Sequence, residues 1–139
     1  RRYAARDIEW NYRETSIPFD EVVLECEVAT TEGSEQEIRR AMQKSQERRR
    51  ITQPLGLPSC GSIFRNPEGE SVGRLIENVG LKGALCGGAQ ISERHANFIV
   101  NKGGAKAVEV LSLIHAASDA VAERYGVELV PEVRFLGFE

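Results

Sequence analysis

Residues 58–67, reading Pro58-Ser59-Cys60-Gly61-Ser62-Ile63-Phe64-Arg65-Asn66-Pro67, bring a hydroxyl, a guanidinium and an amide into one short stretch. A hydroxyl can give or take a proton, and a planar guanidinium holds carboxylates or phosphates through paired donors. Side chains alternate on an extended chain, so Ser62 and Phe64 share one face and Ile63 and Arg65 the other. Pattern alone makes this a tight turn with ordinary polar partners. Cys60 with His95 or His115 would make a nucleophile pair if the fold joined them. However, His115 falls inside a periodic helix, and Cys60 reads better as a small buried thiol. Gly83, Gly87 and Gly88 offer a phosphate cradle, but neither G-x-G-x-x-G nor Walker spacing is present, so turn glycines are the simpler reading. The basic run Arg39, Arg40, Lys44, Arg48, Arg49 and Arg50 could grip phosphates. Without interleaved aromatics it reads better as a solvated helix face, its cations set toward the helix C-terminus.

The elements that must position these groups follow from periodicity. Residues 1–20 are mixed and charged, with Trp10 and Tyr12. From Val22, apolar residues alternate through Leu24, Cys26 and Val28, with Glu25 and Glu27 opposite, which predicts a half-buried strand. Ser34 with Glu37 forms a capping box opening a helix to about Arg50, whose thin apolar stripe (Ile38, Ala41, Met42) predicts a surface position. Pro54, Gly56 and Pro58 make a breaker-rich hinge, and a domain boundary is placed there: 1–50 and 51–139. Beyond it, Ile63-Phe64 predicts a short strand, and Val72, Leu75, Ile76 and Val79 an amphipathic helix stopped by Gly80. Residues 82–90 read as a loop of unusual backbone angles, and 97–101 as a strand. A long helix from about Lys106 to Tyr125 buries Val110, Leu111, Ile114, Ala117 and Val121, and residues 132–138 form a last strand. Without a regular βαβ rhythm the class is α+β, a small mixed sheet packed with helices.

Composition narrows the functional classes. The chain has 139 residues, 41% apolar and 28% charged, with a formal charge of -3. That suits one compact domain, or one domain plus the remnant of another, and Arg1-Arg2-Tyr3 reads as a cut or processed end. No apolar run approaches the roughly 18 residues of a spanning helix, which argues against membrane insertion. Cys26, Cys60 and Cys86 are odd in number and widely spaced, which argues against zinc, a disulfide scaffold or a redox dithiol. A reducing, cytoplasmic setting is the simplest reading. The mild acidity gives no electrostatic footprint for nucleic acid.

In order along the chain stand Tyr12-Arg13-Glu14-Thr15-Ser16, Gln53-Pro54-Leu55, the 58–67 stretch and Gly73-Arg74-Leu75-Ile76-Glu77. Gly80-Leu81-Lys82-Gly83, Gly87-Gly88-Ala89-Gln90, residues 92–101 (beginning Ser92-Glu93-Arg94-His95-Ala96-Asn97) and residues 131–137 (Pro131-Glu132-Val133-Arg134-Phe135-Leu136-Gly137) complete the series. In this joint order the chain resembles the UDP-N-acetylenolpyruvoylglucosamine reductases of peptidoglycan synthesis. It departs at Thr52, where many members carry Lys and Arg50 is the nearby substitute, and at Val130, where many carry Glu.

The resemblance implies that residues 1–50 are the tail of an FAD-binding module and 51–139 a substrate-binding domain. Most of the flavin would be held by a region this chain lacks, so the chain alone should be inactive. It further implies a two-stage reaction: NADPH reduces FAD, and hydride then passes to the enolpyruvyl group of the UDP-sugar, giving UDP-N-acetylmuramate. Hydride addition pushes charge onto the neighbouring carbon and its carboxylate, so the site must hold that charge and supply a proton. By resemblance Ser62 donates the proton, while Arg13 and Glu132 match the other catalytic positions. Tyr12, Arg65, Asn66, His95 and Asn97 are the implied substrate contacts, and no metal is implied. The alternatives are a nucleotide-sugar or phosphate binding module without redox chemistry, and a basic-helix adaptor for nucleic acid.

Overall fold

The computed structural model describes residues 1–137. Its contacts divide into two units, Arg1–Ser34 and Glu35–Glu139. The N-terminal unit begins with a short 3-10 turn, Ala5–Asp7, followed by a hairpin of β1 (Trp10–Asn11) and β2 (Glu14–Thr15). The Trp10 indole N–H donates to the Ala5 carbonyl at 3.2 Å, and the Ser16 hydroxyl accepts from the Glu9 amide at 3.0 Å. Residues 21–33 carry no regular structure, so the strand predicted from Val22 to Val28 does not form. Alternation reports that one face expects cover, but a strand also needs a neighbour to take its amides and carbonyls. No ladder partner stands beside this stretch among the described residues, and Leu24 is 92% exposed.

The second unit opens with α1, Glu35–Thr52, two residues longer than expected and without a buried side chain, as its thin stripe predicts. Its basic residues are solvated, with Arg39 pairing with Glu35 at 2.8 Å and Arg50 with Glu47 at 3.9 Å. A four-stranded sheet follows in the order β3-β6-β5-β4, from β3 (Ser59–Ser62), β4 (Leu85–Cys86), β5 (Ala89–Ile91) and β6 (Phe98–Asn101). Every described pairing is antiparallel, so the α+β class holds while the sheet is not mixed. Helix α2, Val72–Asn78, buries Val72, Leu75 and Ile76, and Gly80 beyond it adopts φ 78°. Helix α3, Ala107–Tyr125, packs on β4, β5 and α2 through Leu113, Ile114, Ala117 and Val121, and Gly126 ends it in the left-handed region. Val110 and Leu111, expected inside, are only partly covered.

Ile63, Ile76, Ile91, Val72, Val100 and Val121 are the largest wholly enclosed side chains. Each contributes about 1.5–3 kcal/mol by burial. Three further local expectations change. The loop at 82–90 is the β4–β5 hairpin, turned by Gly87 at φ 54°. The strand placed at Ile63-Phe64 lies earlier, at Ser59–Ser62, and Phe64 makes only an isolated bridge with Pro131. That bridge falls just before the strand predicted over 132–138, which does not form over residues 132–137, and Phe138 lies outside the described residues.

Candidate functional site

Ser62 ends β3 just beyond an irregularity. Ser59 pairs with Val100 and Ser62 with Phe98, so β3 spends one more residue than β6 over the same span. This is a one-residue bulge around Cys60-Gly61, with Gly61 at φ 86°, a conformation that favours a residue without Cβ. Cys60 is therefore exposed and not the buried thiol expected from the sequence. The chain after Ser62 is fastened on two sides. On one, the Arg65 amide donates to the Val130 carbonyl at 2.9 Å and the Glu132 amide to the Ile63 carbonyl at 2.7 Å. This brings the Glu132 backbone opposite Ile63, one residue from Ser62.

On the other side stands Asn97, only 3% exposed. Its side-chain oxygen accepts from the Phe64 amide at 3.0 Å, its amide nitrogen donates to the Phe64 carbonyl at 2.8 Å, and its own carbonyl accepts from the Ile63 amide at 2.9 Å. Asn97 is thus engaged with backbone on every polar group just named. His95 backs it: the ring Nδ1 accepts from the Asn97 amide at 3.2 Å, and the ring packs edge-on against Phe98 at 5.1 Å. Burial, and then the nearby Lys82 ammonium, lower the His95 pKa below its usual 6.5. The ring is therefore neutral near pH 7, with Nδ1 as acceptor. Gly73 leaves the space it occupies, since a Cβ there would meet His95 Cε1 at 2.9 Å. Asn66 is exposed, and its oxygen accepts from the Val72 amide at 3.1 Å, tying the segment to the start of α2. Ser62, Arg65 and Glu132 are partly buried. Ser62, Arg65, Asn66, His95, Asn97 and Glu132 therefore gather around the exit of β3.

Tyr12 and Arg13 belong to the N-terminal unit, where they form the β1–β2 turn. Arg13 holds φ 64°, uncommon for a residue with a side chain, and its guanidinium lies 5.8 Å from the Tyr12 ring centre. Both side chains are exposed, Tyr12 at 62%.

The glycine turn offers no vacancy for a phosphate, because a carboxylate of the chain fills it. Glu109 Oε2 accepts from the Gly88 amide at 3.0 Å and from the Lys106 amide at 2.9 Å. These two backbone bonds hold its pKa below the usual carboxylate value. Sequence reasoning passed over Glu109 because Lys106, not Ser or Thr, stands at the helix start. The remaining signal, an acid three residues into α3, is weak. Arg94 was also passed over: its guanidinium donates to the Arg50 carbonyl at 2.9 Å and the Gln53 carbonyl at 3.4 Å, closing the C-terminal end of α1. Among the described residues no helix is long and apolar enough to cross a membrane.

Comparison with known proteins gives the arrangement a context. The family model for the UDP-N-acetylenolpyruvoylglucosamine reductase C-terminal domain matches residues 53–136. A UDP-N-acetylenolpyruvoylglucosamine reductase of Alkalilimnicola ehrlichii is 45% identical over 137 residues, covering 99% of this chain and 46% of that protein. One from Halalkalibacterium halodurans is 48% identical over 132 residues, covering 94% and 44%. The crystal structure of the Thermus caldophilus reductase superposes with a TM-score of 0.74 at 37% identity, over 91% of this chain and 46% of that one. The chain thus spans about half the length of the relatives it matches. With the family model covering residues 53–136, it belongs to the UDP-N-acetylenolpyruvoylglucosamine reductase C-terminal domain family.

Proposed function

We propose that this chain is the substrate-binding part of a cytoplasmic flavoenzyme that reduces UDP-N-acetylenolpyruvoylglucosamine to UDP-N-acetylmuramate in peptidoglycan synthesis. In this reading residues 1–50 are the tail of a flavin module and 51–139 the substrate domain. The observation that carries it is Ser62: a hydroxyl set directly after a bulge, with the Glu132 backbone docked one residue away. The residues present fit the edge of a flavin site and no more. Tyr12 offers an exposed aromatic ring beside a guanidinium, a surface suited to a planar, electron-rich partner. When bound, FAD reduced by NADPH supplies the hydride.

The chain's own residues handle the charge and the proton. As hydride reaches the terminal enolpyruvyl carbon, negative charge develops on the adjacent carbon and its carboxylate. The Arg13 guanidinium meets that carboxylate with paired donors. The Ser62 hydroxyl gives its proton to the adjacent carbon and regains one from solvent, and Glu132 is the third residue assigned to this step. A serine is a weak acid, so the transfer needs the acceptor within hydrogen-bond reach, which is why the placement of the β3 exit matters. Arg65, Asn66 and His95 line the same exit and bind the nucleotide-sugar.

Replacement Ser62→Ala in the flavin-bound protein should leave reduction by NADPH at its normal rate. Reoxidation by the enolpyruvyl substrate should fall by at least about a hundredfold, the usual scale of a lost general acid. Stopped-flow absorbance of the flavin reads both halves separately. Equal loss in both would remove Ser62 from the proton step, and a protein that binds the nucleotide-sugar but no flavin would indicate a binding module instead.

A further inference from the structure

We infer that Asn97 is a positioning residue for the reaction: its buried amide fixes the register of the bulged strand and so determines where the Ser62 hydroxyl points. This rests on the proposed role of Ser62. A one-residue slip in a strand turns every side chain to the opposite face. The bulge at Cys60-Gly61 is a slip of that size, built in on one side of Ser62, so the ladder before the bulge does not determine the chain after it. Register must be set anew downstream, where Ser62 pairs with Phe98, and Asn97, the neighbour of Phe98, locks it. Three hydrogen bonds of 2.8–3.0 Å tie its amide and carbonyl to Ile63 and Phe64, the two residues that follow Ser62.

The side-chain pair is reciprocal, taking the amide and the carbonyl of one residue. A strand displaced by one position would offer the same geometry only to Ile63 or Arg65. Their amides are already held, Ile63 by the Asn97 carbonyl and Arg65 by the Val130 carbonyl. The clamp therefore admits one register. Buried amides left unpaired are costly, which makes the alternative registers unfavourable as well as unsupported. Asn97 accordingly acts through backbone and not on the nucleotide-sugar, in contrast to the role implied by resemblance.

The test is Asn97→Ala in the flavin-bound protein, read by rapid kinetics and substrate titration. Reduction by NADPH should be unchanged, the dissociation constant for the nucleotide-sugar should stay within about threefold, and reoxidation at saturating substrate should fall at least tenfold. Weakened substrate binding with normal reoxidation at saturation would overturn the inference, as would no change in either. If that variant does not fold, Asn97→Ser decides. A serine hydroxyl keeps the buried site polar but cannot serve the Phe64 amide and carbonyl together as the asparagine amide does, so the reciprocal clamp is lost. The same slowed reoxidation with intact binding is expected, and unaltered reoxidation overturns the inference. Hydrogen exchange of the Phe64 amide in this chain separates the clamp from the reaction. Asn97→Ala should speed that exchange at least tenfold even if no flavin chemistry is found, and unchanged exchange would refute the clamp itself.

Discussion

His95 shows how one side chain ties the site to pH. Its ring accepts the Asn97 amide through Nδ1, an arrangement available only to the neutral form. Burial and the Lys82 charge both disfavour the imidazolium, so the folded chain resists a proton that the unfolded chain accepts near pH 6.5. The sign follows from linkage. Above 6.5 both states are neutral and this contribution is complete; below it the unfolded state gains the proton first, and stability declines until the lower folded pKa is reached. Urea midpoints should therefore fall from pH 7.5 toward pH 5, and His95→Gln should flatten this part of the profile. An unaltered slope in the variant would place the pH dependence elsewhere. At this scale the sequence was informative about identity and poor about partners. Ser62, Asn66 and Glu132 could be singled out by motif, but the bonds of Asn97 reach 33 residues back to Phe64, beyond any local pattern.

At the scale of elements, what was legible is what is local. The stripe Ile114, Ala117 and Val121 with Gly126 behind it predicts α3, and the run from Val72 with Gly80 predicts α2, because one face meets the core and a glycine stops each helix. The β4–β5 hairpin was illegible because its turn is held from a distance. Gly87 and Gly88 look like free loop until Glu109, 21 residues later, binds the Gly88 amide. Close packing adds to this: a Cβ on Gly88 would stand 2.5 Å from the Gly103 carbonyl oxygen and 2.6 Å from the Ala105 nitrogen. Those neighbours are backbone and cannot rotate away. Gly88→Ala should thus cost about 3 kcal/mol, at the upper end of the usual overpacking range, by forcing the hairpin off the start of α3. Chemical denaturation reads this directly, and a loss below about 0.5 kcal/mol would mean that the two turns separate easily.

For the whole molecule, the uneven distribution of the core decides how the chain comes apart. No residue of the unit Arg1–Ser34 is buried, whereas the unit Glu35–Glu139 contains the entire described core. The alternation at Val22, Leu24, Cys26 and Val28 predicts a half-buried strand, yet nothing among the described residues pairs with that stretch as a ladder and its apolar side chains are exposed. A unit of this size without core, disulfide or metal has little to set against its conformational entropy. It should open at free energies far below those of the second unit. The two can be watched separately, because the single Trp, Trp10, lies in the first unit while α1 and α3 dominate helical ellipticity from the second. Tryptophan emission should change at a lower denaturant concentration than ellipticity at 222 nm, giving two transitions where a cooperative chain gives one. Coincident transitions would show the units to be energetically one. Under the proposed function, the flavin module of the longer enzyme is expected to cover Val22, Leu24 and Val28. There the emission transition should move up toward the other, as the strand gains the neighbour its alternation calls for.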